Sequence, residues 1–227
     1  MARLSAMTDA DRARVSAAVS AVERRTAGEV VTIVTQQSDD YGEIALLWSA
    51  LAAFLALAAL ALFPDFYLGI YDGLTGGWMQ EWHPRGLFTV ALLVASLKFA
   101  AAWLLLLWRP LRLLLVPGAL KHDRVRARAI TWFKVGAERR THGRTGILIY
   151  LSMDERRAEI VADEAIAGRV APEVWGVAMA AMLAHIREDR LADGLIAAIG
   201  EVGVVLAEHF PLGQGDSNEL PDRLIEV

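Results

Sequence analysis

Two stretches of the sequence are apolar almost without interruption. Residues 44–63 carry no charge, and residues 87–107 carry one, Lys98. A helix rises about 1.5 Å per residue, so about twenty residues cover the roughly 30 Å hydrocarbon core of a bilayer. Each run therefore predicts a membrane-spanning helix. The competing reading, a pair of buried soluble helices, asks a chain of 227 residues to enclose both. Trp48 sits near the start of the first run, Trp78 and Trp82 just before the second, and Trp103 and Trp108 near its end. Indole rings favour the membrane interface because they combine an apolar body with one N–H donor. Small residues line helix contacts in lipid; Ser49, Ala53 and Ala56 of the first run and Ala91, Ala95 and Ala102 of the second are the candidates for the seam.

Outside these runs the pattern is that of an α/β domain. Residues 8–25 place Val15, Ala18, Val19 and Val22 on one helical face, with Thr8 as N-cap, Asp9 and Asp11 in the first turn, and Gly28 as the expected stop. Residues 29–35 are β-branched nearly throughout and predict a buried strand. After the second apolar run, residues 111–116 mix leucines with Arg112 and suit a membrane interface, and Pro117-Gly118 breaks them. Residues 121–140 predict a helix with Val125, Ala129, Trp132, Phe133 and Gly136 on one side. A second buried strand follows at 145–152, a turn at 153–156, and a half-exposed third strand at 157–163. The short turn makes strands two and three antiparallel, whereas the long connection from strand one to strand two permits a parallel pair. Helices at 172–188 and 191–209 complete the domain, with Gly194, Gly200 and Gly203 read as points of close packing, and the tail from residue 211 is polar and extended. The divisions are thus 1–43, 44–108 (with a connecting loop at 64–86), 109–210 and 211–227.

Charge sets the orientation. The loop 64–86 carries Asp65, Asp72 and Glu81 against Arg85 alone, whereas residues 109–144 carry ten basic side chains against two acidic ones. Basic residues beside a span stay cytoplasmic. The loop is then external and both termini cytoplasmic, as in a two-span protein of a bacterial-type inner membrane. No signal-peptide core precedes the first run, so the N-terminal region is expected to stay on the side of synthesis. Arg109, Arg112, Lys121, Arg124, Arg126 and Arg128 form a basic collar suited to anionic lipid, each worth about 1 kcal/mol near the surface. A net charge of −4 and the lack of an RNA-recognition motif argue against nucleic acid as partner. The absence of cysteine excludes disulfides, thiolate metal sites and cysteine nucleophiles.

The order of several segments resembles the TPM domain. These are Thr26-Ala27-Gly28-Glu29-Val30-Val31 after an opening helix, and residues 144–152 followed by Glu155-Arg156-Arg157-Ala158-Glu159-Ile160-Val161-Ala162-Asp163. The closing pattern Arg190-Leu191-Ala192-Asp193-Gly194-Leu195, with His209-Phe210-Pro211, fits as well. Residues 38–41, Ser-Asp-Asp-Tyr, resemble the segment before the first span in membrane-inserted bacterial members. The resemblance implies a small Rossmann-like α/β sandwich with a mixed sheet, here interrupted by a two-helix transmembrane hairpin. It also implies kinship with thylakoid photosystem II repair proteins described as acid phosphatases, some of which bind a divalent cation, and with accessory subunits of membrane receptors. A fold does not fix chemistry.

Carboxylates at strand ends are the candidate site. Asp39 and Asp40 follow strand one, and Asp154 and Glu155 follow strand two, which places all four at the carboxyl edge of a parallel pair, where open α/β sheets bind ligands. Asp39, Asp40 and Asp154 are the candidate ligands for Ca2+ or Mg2+, hard cations that take oxygen donors; ordinary solvated turns are the competing reading. Asp163 and Glu164 belong at the opposite edge, near Glu29. Ser152 has no histidine near it in sequence, and the five histidines show no metal-protease spacing. A mid-span Lys98 costs about 2.5–3.5 kcal/mol on insertion scales; it marks an ion route in an oligomer, a charge for a partner subunit, or a lysine snorkelling to water. Three functions remain: a membrane-tethered accessory or assembly module that binds another membrane protein, a metal-dependent phosphatase-like hydrolase, and a subunit of an ion pathway.

Overall fold

The computed structural model describes residues 7–75, 83–136, 145–212 and 223–227. In chain order the elements are α1 (Asp9–Glu23), β1 (Glu29–Thr35), α2 (Gly42–Leu62), α3 (Pro64–Thr75), α4 (Pro84–Leu106), α5 (Arg109–Leu115), α6 (Gly118–Gly136), β2 (Gly146–Ser152), β3 (Arg157–Ala162), α7 (Glu164–Ala167), a 3-10 turn (Pro172–Val174), α8 (Trp175–Ile186), α9 (Leu191–His209) and β4 (Ile225–Glu226). They form two compact units. An α/β unit holds Met1–Asp39 and Gly118–Val227, and a helical unit holds Asp40–Pro117.

The α/β unit is built on a sheet of order β3-β2-β1-β4. β1 and β2 are parallel in the register Glu29↔Gly146 to Thr35↔Ser152, and β2 and β3 are antiparallel. Every residue of β1 and β2 is buried. That is why their sequences read as continuous apolar runs: a strand covered on both faces has no polar alternation. Val30, Val34, Ile147, Ile149 and Leu151 join the core made with α1, α8 and α9. Val31, Ile33, Leu148 and Tyr150 join the second core, where Val125, Ala129 and Phe133 of α6 cover the other face, with Trp132 half-buried against it. The expected inner face of α6 is therefore the observed one among described residues.

Several local expectations change. α1 starts on a capping box, Thr8 with Asp11, and stops at Arg24, before Gly28. Gly28 serves packing instead: a Cβ there would lie 2.8 Å from Leu206 Cδ1. The expected external loop contains α3, opened by Pro64 and Asp65, which suit a first helical turn. α6 begins at Gly118, three residues before the expected start. Asp163 caps the short α7, its Oδ1 accepting from Glu164 N at 2.8 Å. The Asp163 amide bonds Gly146 O at 2.8 Å, so Asp163 and Glu164 do lie at the amino edge of β1 and β2. The last residues, read as an extended polar tail, add the fourth strand. β4 pairs Ile33↔Ile225 and Val34↔Glu226 in parallel, and Arg12 of α1 holds Glu226 through Nε at 2.9 Å and Nη2 at 3.1 Å.

Two of the three α9 glycines are contact points. A Cβ at Gly194 would meet the Met182 carbonyl at 2.8 Å, and one at Gly203 would meet Val22 Cγ2 at 2.5 Å, whereas Gly200 has nothing within 4 Å. Alanine is favoured over glycine in a helix by about 1 kcal/mol, while overpacking costs about 1–3 kcal/mol. Gly200→Ala should raise the thermal midpoint of the purified chain, and Gly194→Ala should lower it, because a backbone carbonyl cannot swing aside. Equal shifts in the two variants would refute this account of the α8–α9 contact.

In the helical unit, α2 and α4 pack along each other. Ser49 is buried, and Ala53, Ala56, Ala91, Ala95 and Ala102 are half-buried, as expected for a seam. The outer surface is apolar: Phe54, Leu55, Leu62, Phe88, Leu92, Leu93 and Leu97 are each more than half exposed. Ser49 Oγ donates to Ala45 O at 2.7 Å, a bond made within its own helix. Helix α2 opens on Tyr41 at φ 53°, a left-handed backbone uncommon for a residue with a Cβ. Tyr41 is fully buried.

Candidate functional site

The carboxyl edge of β1 and β2 carries a connected polar network. Pairing of the two chains runs past the strands: Met153 N donates to Thr35 O at 3.1 Å and Asp154 N to Gln36 O at 2.9 Å. The β2–β3 turn then reverses at Arg156, φ 52°, whose amide donates to Met153 O at 3.2 Å. This turn swings Glu155 inward, where it is buried. Its carboxylate accepts from Ser38 N at 2.9 Å and from the Ser152 hydroxyl. Ser38 Oγ and Tyr150 Oη lie 3.0 Å apart in a hydrogen bond, and Thr35 Oγ1 donates to Gln37 O at 3.0 Å.

Two arginines of α6 close over the same loop. Arg128 Nε donates to Ser38 O at 3.0 Å, and Arg124 Nε lies 3.2 Å from Asp39 Oδ2. Gln36 Nε2 donates to Asp154. Asp39 and Asp154 thus share the edge anticipated from the sequence, and each holds a partner there. Asp40 belongs to the helical unit, where its Oδ1 accepts from Gly42 N at 3.1 Å. Asp39 and Asp154 have the hard oxygen donors a divalent cation takes; such an ion would compete with Arg124 for Asp39. Ser152 is fully buried with its hydroxyl given to Glu155, an arrangement that holds the loop and does not present a nucleophile to water.

Ser38 and Tyr150 are the members that sequence reasoning did not assemble; it did place Glu155 at this edge beside Asp39, Asp40 and Asp154. What it did not foresee is the burial of Glu155, for which the one local signal is the spacing of three from Ser152. Burial and the Glu155 charge raise the Tyr150 phenol above its ordinary 10.0, with the Ser38 hydrogen bond acting the other way. A phenol held neutral contributes stability fully present below the ordinary value and lost as pH rises through the folded one. Tyr150→Phe should remove that alkaline loss while costing about 1 kcal/mol at neutral pH for the Ser38 bond. Unfolding midpoints measured from pH 7 to 11 check it, and parallel curves for the two proteins would contradict it.

The other candidates fall in separate places. Lys98 is exposed on α4, outside the half-buried seam. Of the collar residues, Arg109 and Arg126 are exposed, Arg112 and Lys121 half-buried, and Arg124 and Arg128 spend their guanidinium groups on the loop after β1. His122 contacts Glu159 at 3.2 Å. Trp78, Trp82, Arg139, Arg140, His142 and Arg144 lie outside the described residues.

Residues 111–205 match the family described as TPM_phosphatase, TPM domain. Among solved structures, the fold is similar to the NMR structure of BA42 protein from the psychrophilic bacterium Bizionia argentinensis, with a TM-score of 0.57, 15% identity and 100% of each chain covered. None of the curated proteins matches the sequence. The matched family segment begins in α5 and ends in α9, so it contains β2, β3 and the helices α6 and α8 that cover the sheet.

Proposed function

We propose, from the premise that this chain carries a domain of the TPM family, that it is a membrane-anchored accessory or assembly module whose α/β unit binds another membrane protein. The observation that carries the anchoring is the exposure of α2 and α4. Both are long and apolar enough to cross a bilayer, with mean hydropathy 2.4 and 2.0, yet only 17% and 11% of their most apolar windows are buried. A core helix of a soluble domain hides its apolar surface, whereas these present theirs outward. The acidic loop and the basic segment after α4 give the hairpin cytoplasmic ends.

Binding is favoured over catalysis by how the polar groups are spent. Ser152 serves Glu155, Asp39 faces Arg124 and Asp154 takes Gln36. Meanwhile the 3-10 turn exposes Val174, α8 exposes Val177 and α9 exposes Val204, apolar side chains available to a protein contact. Affinity purification of the tagged chain from crosslinked native membranes, in mild detergent, should recover one specific membrane protein, with less of it recovered by Val177→Glu. Recovery of no specific partner refutes the reading.

A second reading, a metal-dependent phosphatase-like hydrolase, is supported by the carboxylates at the sheet edge and by the family description. Asp39 and Asp154 would be its ligands within the α/β unit. Hydrolysis of a model phosphomonoester at acid pH, dependent on Ca2+ or Mg2+ and lost in Asp39→Ala, would establish it; no turnover, or turnover unchanged in the variant, would dismiss it.

A further inference from the structure

The end of the second apolar helix has chemistry that the anchoring reading does not use. Trp108 and Leu114 are 67% and 77% exposed, and Leu104, Leu105 and Leu107 are each more than half exposed. Into this apolar collar the seven-residue α5 sets Arg109 and Arg112, three apart and so on one helical face. Arg112 N donates to Trp108 O at 3.2 Å, which keeps the backbone of the pair next to the indole. The Arg112 Nε atom is shut off from solvent and, among the described residues, has no hydrogen-bond acceptor. A shielded guanidinium donor without an acceptor carries a desolvation cost that no described residue of the helical unit offsets. Lysine in its place would carry the charge but not the planar fork of donors.

We infer that Arg112, with Arg109 beside it, binds the phosphate of one anionic phospholipid headgroup. This rests on the reading of α2 and α4 as membrane spans, which sets α5 at the depth where headgroup phosphates lie. The phosphate oxygens accept from the outer Nη groups of the Arg112 guanidinium, in the two-pronged geometry a guanidinium favours, and so give the group the partners that Nε, closed to solvent, does not find. The acyl chains lie along the exposed leucines at the end of α4, and Trp108 takes the interfacial position of an indole. Two positive charges on one phosphate select anionic over zwitterionic lipid.

The test uses the full chain purified in mild detergent, mixed with phosphatidylglycerol or phosphatidylcholine and examined by native mass spectrometry. One phosphatidylglycerol should be retained at about tenfold the level of phosphatidylcholine, as expected for charge-assisted bidentate bonds. Arg112→Gln should lose about tenfold in retention and Arg112→Lys about threefold, while Lys134→Gln, an exposed charge in the α/β unit, should match wild type. Equal retention of the two lipids by the wild-type chain overturns the inference whatever the variants do. So does a loss in Lys134→Gln equal to that in Arg112→Gln, which would report charge alone. Alkaline carbonate extraction of the wild-type protein separates the two levels. A protein that stays in the membrane yet shows no lipid preference defeats only the headgroup site, whereas one extracted as soluble defeats the anchoring reading and the site with it.

Discussion

Glu155→Ala should destabilise the α/β unit by about 3 kcal/mol. The carboxylate is buried and receives the Ser38 amide at 2.9 Å and the Ser152 hydroxyl. Deleting it leaves two buried donors without an acceptor, each costing about 1–3 kcal/mol, beyond the loss of charge-assisted bonds. Against a typical total of about 5–15 kcal/mol, that is a large fraction. Ser152→Ala removes a donor together with its bond and should cost only about 1–1.5 kcal/mol. The double variant should then be milder than the two losses added, since alanine at 152 leaves one donor fewer to strand. Denaturant midpoints of the four proteins measure this, and a Glu155→Ala variant within about 0.5 kcal/mol of wild type, the range of ordinary surface changes, would show that the latch does not hold the edge.

Phe54→Asp separates the two environments open to α2 by sign. Phe54 lies mid-helix and is 69% exposed. In water, replacing it with aspartate would change stability by no more than about 0.5 kcal/mol and improve solubility. In lipid, the change from a mildly favourable aromatic to a central carboxylate costs about 3 kcal/mol on insertion scales. That is more than a hundredfold in the insertion equilibrium, so the variant should leave the carbonate-resistant membrane fraction or be degraded, while Phe54→Leu behaves as wild type. A variant as firmly membrane-bound as the parent would sink the spanning helix.

The parts legible in the sequence are those whose determinants are local. β1 is read to the residue and β2 to within one, because a β-branched or aliphatic run bounded by polar turns has few alternatives. α9 is equally legible, since its buried positions recur at helical spacing from Leu191 to Leu206. β4 was illegible: two residues have no period, and they form a strand only because the outer edge of β1 offers backbone partners. Two further features were illegible for the same reason of distance. Asp154, Glu155 and Arg156 resemble a surface turn until the loop after β1 folds over them and buries Glu155. The basic face of α6 reads as a lipid-binding surface, and nothing local shows that Arg124 and Arg128 also reach Asp39 and Ser38, about ninety residues earlier in the chain.

The parallel register of β1 with β2 has a consequence for the order of events during synthesis. The two strands are hydrogen-bonded neighbours, but about 110 residues separate Thr35 from Gly146, including the whole helical unit. At about 5–20 residues per second on the ribosome, β1 waits roughly 5–20 s for the strand that completes it. Throughout that interval its apolar faces and backbone edge are uncovered, and the ribosome meanwhile delivers the two apolar helices. Nascent chains stalled before residue 146 should therefore be sensitive to protease at residues 29–35 and recruit holdase chaperones there, and both properties should vanish once residue 152 has emerged.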